Sequence, residues 1–429
     1  MRCGFPPRCE DNTVLRSTRT RLSIMMFLQY AVPASVMPIL SHYLKNHLQF
    51  EPVRVGQIMA MPAIAAILAP FVVTYVADRF ISAERLLAVC HLIAGGIMLV
   101  LSAQTRFWAF LGVYFAYGLM FVPTFALTNA VAFHHVADAK RDFGPIRMWG
   151  PVSWVVVGWG FSFLWLRGGV PAGLDSRLPD ALKFSALASC ALGFYALTLP
   201  RSKVKSSSTA GLSPWKSFAV FARPSLLLLC ILTLLNSVVH QFYYYGMSPF
   251  LSQIGFPDKH IMPAMSMGQF GEVFVLALLG VCLAKIGTKR ALIIGVVAQV
   301  ARCLAFASGH KWLVVAAIPS HGVCYAFFFT VAYIYVDSHS SPESRAGAQQ
   351  LFNILIAGIG YLVGNLCAGK TAQFLTVSGT TQIDFARFWT VSASLALVVA
   401  AILVFLFREE EPIQPAGRGV EGLLAAENP

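Results

Sequence analysis

Apolar runs of roughly 20 residues or more recur along the whole chain, each long enough to cross a hydrocarbon core of about 30 Å. They predict twelve helical spans, at about 21–46, 54–78, 82–104, 106–134, 145–166, 179–199, 217–252, 259–286, 289–308, 311–337, 345–374 and 385–407. The one hydrophilic connector of any length, Arg201 to Lys216, carries Ser206, Ser207, Ser208, Gly211 and Pro214. It reads as a flexible linker that divides the spans six and six. The expected class is therefore an all-α membrane protein of twelve transmembrane helices in two six-helix bundles. Its parts are a tail at 1–20, a bundle at 21–200, the linker at 201–216, a bundle at 217–408 and a tail at 409–429.

Polar residues inside the apolar runs are the informative exceptions, because an ionisable group at bilayer depth costs several kcal/mol unless it is used. Glu272 lies near the middle of the eighth span, with Gln269 three residues earlier on the same helical face. Arg147, in the fifth span, shares a face with Pro151 and Trp154, and either offers its fork of donors to a hydroxyl or anion or snorkels to the surface. In the seventh span Asn236, His240, Gln241, Tyr243, Tyr244 and Tyr245 form a polar and aromatic cluster. This composition suits a small-molecule pocket or an interfacial tyrosine belt. His321 and Tyr325 stand one turn apart in the tenth span, where the histidine either takes a proton or bonds across helices. His91 reads as structural, Arg302 as a residue that snorkels or pairs, and Asn129 beside Pro123 and Thr124 as a packed amide at a kink.

Composition agrees with a chain that lives in lipid: 57% of residues are hydrophobic, 12% are charged and the mean hydropathy is +0.67. An even number of spans puts both ends on one side, and basic residues favour that side by roughly two to one. Both termini are thus expected in the cytoplasm, with the chain in the cell's inner membrane and its first span retained. The net charge of +13 then reflects topology and anionic head groups, so no nucleic-acid partner is implied. The nine cysteines show no zinc spacing, and no nucleophile–base pair shares a depth, so no metal, cofactor or enzyme activity is expected.

The connections after the second and eighth spans occupy equivalent places in the two halves. The first runs from Thr74 through Asp78, Arg79 and Ile81, and the second from Gly280 through Ala284, Gly287 and Lys289. Each resembles a decayed copy of the glycine- and arginine-rich loop motif of the major facilitator superfamily, in which the loop charges clamp helix ends and bind no substrate.

Five further strings occur in order along the chain. They are Val122-Pro-Thr124 with Asn129, Pro145-Ile-Arg147-Met-Trp149-Gly150, Gln269-x-x-Glu272, Gly287-Thr-Lys289 followed by Ala301-Arg302, and Ser344-Arg345-Ala346-x-x-Gln349. Together they resemble the nucleoside:proton symporter family of that superfamily, over about Leu22 to Arg408. The resemblance implies that Arg147, Gln241, Gln269, Glu272 and Tyr325 surround a nucleoside, with Trp154 and Tyr244 as further aromatic contacts and His321 in place of a tyrosine. Ala326 stands where the family has a second membrane carboxylate, so Glu272 either carries the proton itself, borrows His321, or leaves transport uncoupled.

The expected function is import of a nucleoside or nucleoside-like solute by a monomer, through proton symport and alternating access. The alternatives are a sugar or glycoside permease of the same superfamily and a membrane sensor without transport. The partners are a small solute, protons and the bilayer.

Overall fold

The structure is a computed structural model that describes residues 9–77, 81–136, 139–168, 177–200, 220–341 and 344–410. It is almost wholly helical, as long apolar runs in lipid demand, because a helix satisfies every backbone polar group within itself. Among the described residues, ten helices are long and apolar enough to cross a membrane. Large apolar side chains face outward around the molecule, among them Trp108, Leu164, Phe374 and Phe405. A surface of this kind suits acyl chains and not water.

In chain order the helices are α1 (Cys9–His42), α2 (Pro52–Ala77), α3 (Ala83–Ser102), α4 (Phe107–His135), α5 (Ala139–Arg147), α6 (Trp149–Gly160) and α7 (Asp180–Ala196). The second half supplies α8 (Pro224–Gln253), α9 (Asp258–Ile286), α10 (Thr288–Ala307), α11 (Lys311–Ser338), α12 (Arg345–Phe374) and α13 (Phe385–Leu406). Three boundaries depart from expectation, the start of α8 at Pro224 rather than near 217 among them. The first helix begins at Cys9 rather than near 21, and the expected fifth span is two helices that meet at Met148. Met148 keeps helical dihedrals (φ −59°, ψ −24°), so the joint loosens the helix beside Pro145 and Pro151 without turning the chain. The linker Arg201–Lys216 and the loop residues Asp78 and Arg79 lie outside the described residues.

Several helices change pitch where the sequence interrupts them. α4 breaks at Val122-Pro123, and α11 at Ile318-Pro319, since proline removes a backbone donor. π-helical turns span Tyr325–Thr330 in α11 and Ile354–Gly360 in α12, a device common near functional sites. Gly287, at φ +78°, takes the left-handed backbone that ends α9 and opens α10.

Within the first part of the chain α3 packs on α7, and within the second α10 packs on α13. Across the halves, α1 meets α8, α2 meets α12, and α6 meets α9. Among the described residues, the hydrogen bonds that join the halves all lie toward the end that carries the 48–51 connection. Ser41 donates to the Tyr245 carbonyl, the Tyr245 hydroxyl donates to the Pro52 carbonyl at 2.9 Å, His42 meets Asp258 at 2.9 Å, and Trp159 Nε1 donates to Ser266 Oγ at 2.8 Å. At the same end, a Cβ on Gly56 would meet the Gly369 Cα at 3.0 Å, so α2 and α12 approach backbone to backbone. The molecule is sealed there.

Candidate functional site

Glu272 owes its place to glycine packing between α9 and α11. A Cβ at Gly271 would overlap the Pro319 carbonyl, and one at Gly322 would overlap the backbone of Gly271 and Glu272. Only glycine lets the two backbones come this close, which leaves the Glu272 side chain directed away from that seam. The carboxylate makes no hydrogen bond or ion pair among the described residues. Within electrostatic range of it lie Arg147 from α5, Tyr30 from α1, Tyr244 from α8, Tyr325 from α11 and Tyr361 from α12. Five helices besides its own therefore converge on one acid.

Arg147 is partly exposed, lies over the Tyr30 ring with its guanidinium carbon 4.2 Å from the centroid, and donates no hydrogen bond to any described residue. The stacking holds the fork in place and leaves its donors free. Gly150 makes room for it, since a Cβ there would stand 2.6 Å from Arg147 Nη1 and 2.9 Å from Tyr30 Cδ2.

A second group lies nearer the sealed end. Trp154, Gly158, Tyr243, Tyr244, Gln269 and His321 line a narrow cleft between α6, α8, α9 and α11, with Met262 and Met265 as its apolar wall. It has room for little more than a water molecule as it stands. Because α6 and α9 run in opposite directions, Trp154 lies beyond Arg147 just as Gln269 lies before Glu272. The result is two layers: an aromatic and amide layer toward the sealed end, and a charged layer of Arg147 and Glu272 beneath it.

Of the residues singled out from sequence, Trp154, Tyr244, Gln269 and His321 line the cleft, while Arg147, Glu272 and Tyr325 form the charged layer with Tyr30 and Tyr361. Gln241 is turned toward α12, where its Oε1 accepts from Asn365 Nδ2 at 3.2 Å. Tyr30 and Tyr361 carry no spacing signal in the sequence. Their roles emerge from tertiary packing, Tyr361 by way of the π turn that precedes it.

Three further polar residues are explained by their partners. His91 Nε2 meets Gln29 Oε1 at 2.9 Å, Gln29 Nε2 donates to Thr124 Oγ1 at 2.8 Å, and His91 Nδ1 meets Ser189 Oγ at 3.0 Å. This buried chain ties α1, α3, α4 and α7 together, as a structural histidine would. Arg302 does not snorkel: it is 2% exposed and donates to His321 Nδ1 at 2.7 Å and to Gln299 Oε1 at 2.9 Å. In the loop motif, Lys289 Nζ donates to the Val404 carbonyl at 3.0 Å near the end of α13, which is helix-end clamping and not ligand binding.

Comparison with known proteins places this geometry. The family model described as nucleoside H+ symporter matches residues 16–412. YegT of Escherichia coli (strain K12) is 30% identical over 410 residues, covering 92% of this chain and 95% of that protein. The xanthosine permease of the same organism is 29% identical over 417 residues, covering 91% and 96%. The solved nucleoside transporter NupG, in an aspartate-to-alanine mutant, superposes with a TM-score of 0.83 at 25% identity, covering 91% of this chain and all of that one. A multi-pass inner-membrane protein with a free acid, a free guanidinium and facing aromatic rings at its centre, this chain belongs to the nucleoside H+ symporter family of secondary transporters and is not an enzyme.

Proposed function

We propose that the chain is a monomeric proton symporter that imports a nucleoside between two six-helix bundles in the major facilitator arrangement, with both termini in the cytoplasm. One observation carries this reading: Arg147, Gln269 and Glu272 are polar, partly exposed and free of hydrogen bonds within the described protein, with Gln269 lining a cleft walled by aromatic rings from both halves and Arg147 and Glu272 in the layer beneath it. Free polar groups in such a place are costly unless a solute or water uses them.

In this reading the base lies against Trp154, Tyr244 and Tyr325, with its edge toward Gln269 and His321. Arg147 and Glu272 hold the ribose hydroxyls, the one as donor and the other as acceptor. The Gln241 carboxamide, its oxygen held by Asn365, turns its Nε2 donors to the solute. Ala326 is wholly buried and offers no carboxylate, so Glu272 carries the proton. A proton taken up from outside neutralises Glu272 beside the aromatic layer, and its loss to the cytoplasm restores the charge. The seal at the 48–51 end then corresponds to a state open toward the cytoplasm, and rocking of α1, α2 and α6 against α8, α12 and α9 exposes the site to the other side.

Uptake of labelled uridine, adenosine, xanthosine and simple sugars into proteoliposomes under an imposed proton gradient tests the reading. Nucleosides are expected to accumulate and sugars not to. Sugar accumulation, or nucleoside binding with no flux under any gradient, would replace it with the permease or the sensor alternative.

A further inference from the structure

Arg302 is a buried cation with no carboxylate at ion-pair distance among the described residues. Its guanidinium lies over the Tyr243 ring, with the carbon 4.8 Å from the centroid, and its two terminal nitrogens serve His321 Nδ1 and Gln299 Oε1. A guanidinium only donates. The His321 nitrogen 2.7 Å from Nη1 must therefore be the one that carries a lone pair. The ring proton then sits on Nε2, which makes no hydrogen bond among the described residues, while the ring itself lines the cleft.

The rest of the surroundings point the same way. His240 and Tyr243 from α8 flank the His321 ring at centroid distances of 5.1 and 4.9 Å, and Tyr244 stands edge-on at 6.0 Å. Gly268 of α9 closes against the His321 Cβ at 3.3 Å from where its own Cβ would be. No acid faces the imidazole from α8, α10 or its own helix, and Glu272 of α9, whose backbone packs on Gly322, makes no hydrogen bond or ion pair with it, so no partner holds a second positive charge beside Arg302. His240 is also buried, with both ring nitrogens unpartnered, and offers no negative charge.

We propose that Arg302 is a positioning residue that holds His321 neutral with its proton on Nε2. His321 thereby presents one fixed donor to a nucleobase carbonyl oxygen or ring nitrogen and takes no part in carrying the proton. The second half of this proposal rests on the nucleoside reading of the cleft, and the first half does not. It divides labour between two residues that the sequence offers for coupling: Glu272 moves the proton and His321 reads the base.

The test begins with the full chain in lipid bilayers, labelled with ¹⁵N at histidine, with the His321 signals identified by their loss in His321→Phe. The wild-type ring is expected to stay neutral and protonated at Nε2 between about pH 5 and pH 8, the range in which a free histidine changes charge. A proton on Nδ1, or a ring that becomes doubly protonated in that range, overturns the proposal. This measurement needs no solute, so it is judged separately from nucleoside binding.

Arg302→Met is expected to let the ring titrate and to raise the KM for nucleoside about five- to tenfold, the effect of one misplaced hydrogen bond. Arg302→Lys, which still donates to Nδ1, is expected to recover most of the affinity. A folded Arg302→Met with unchanged KM and an unchanged ring overturns the positioning role. Should that variant not fold, the wild-type nitrogen shifts alone decide.

Discussion

His42 Nε2 and Asp258 Oδ1 lie 2.9 Å apart and join α1 to α9 across the two halves of the chain, at the sealed end of the molecule. Asn46 Nδ2 donates to His42 Nδ1 at 2.9 Å, which turns the Nε2 proton toward the aspartate. His42 is 3% exposed and Asp258 44%, so the pair is half in water and worth about 0.5–1 kcal/mol. That is enough to bias two states that differ by little.

Asp258→Asn is therefore expected to favour opening of this end two- to fivefold. Solute added from the side of the 48–51 connection should bind with a correspondingly lower apparent Kd, because more of the protein is competent to receive it. Equilibrium binding to oriented vesicles checks this. An unchanged or weaker Kd in a well-expressed variant would show that the pair does not govern the equilibrium.

Glu272→Gln keeps the shape and hydrogen-bonding capacity of the side chain and removes its charge. Exchange of labelled for unlabelled nucleoside is expected to continue, while accumulation against a gradient is lost. Wild-type uptake should rise as the outside is acidified and collapse with a protonophore, and uptake by the variant should follow neither. If the variant still concentrates solute, the proton travels elsewhere.

Two glycines separate stability from binding. In Gly322→Ala the new Cβ meets the backbone of Gly271 and Glu272, which cannot step aside, so a cost of about 1–3 kcal/mol or more is expected. Thermal unfolding in detergent should show a clear drop in Tm together with loss of transport.

Gly150→Ala instead meets the far end of Arg147 and the Tyr30 ring. Tm is expected to change little, while the KM for nucleoside rises about tenfold as the guanidinium is pushed from its seat. A large fall in Tm with a normal KM would place Arg147 outside the solute site.

Much of this was legible in the chain, and for definite reasons. Bilayer thickness imposes a length on each span, so helices such as Asp258–Ile286 and Phe385–Leu406 fall within a residue or two of the expected positions. The cost of a charge in hydrocarbon singles out Glu272 and Arg147 before any coordinates. The division at Met148 was not legible, because prolines on both sides loosen a helix without specifying where. Nor was the partner of Arg302, which depends on how α10 meets α11.

The sequence by itself determined that this protein spans a membrane as apolar helices, that a few polar groups lie at depth, and which family shares their order. These follow from local composition and spacing, which act along one chain segment at a time. The tertiary structure alone decided that Tyr30 and Tyr361 join the acid, that Gln241 leans on Asn365, and that Arg302 occupies one nitrogen of His321. Those outcomes depend on the approach of helices far apart in sequence, and glycine contacts such as Gly322 on Glu272 set that approach to within a fraction of a side chain.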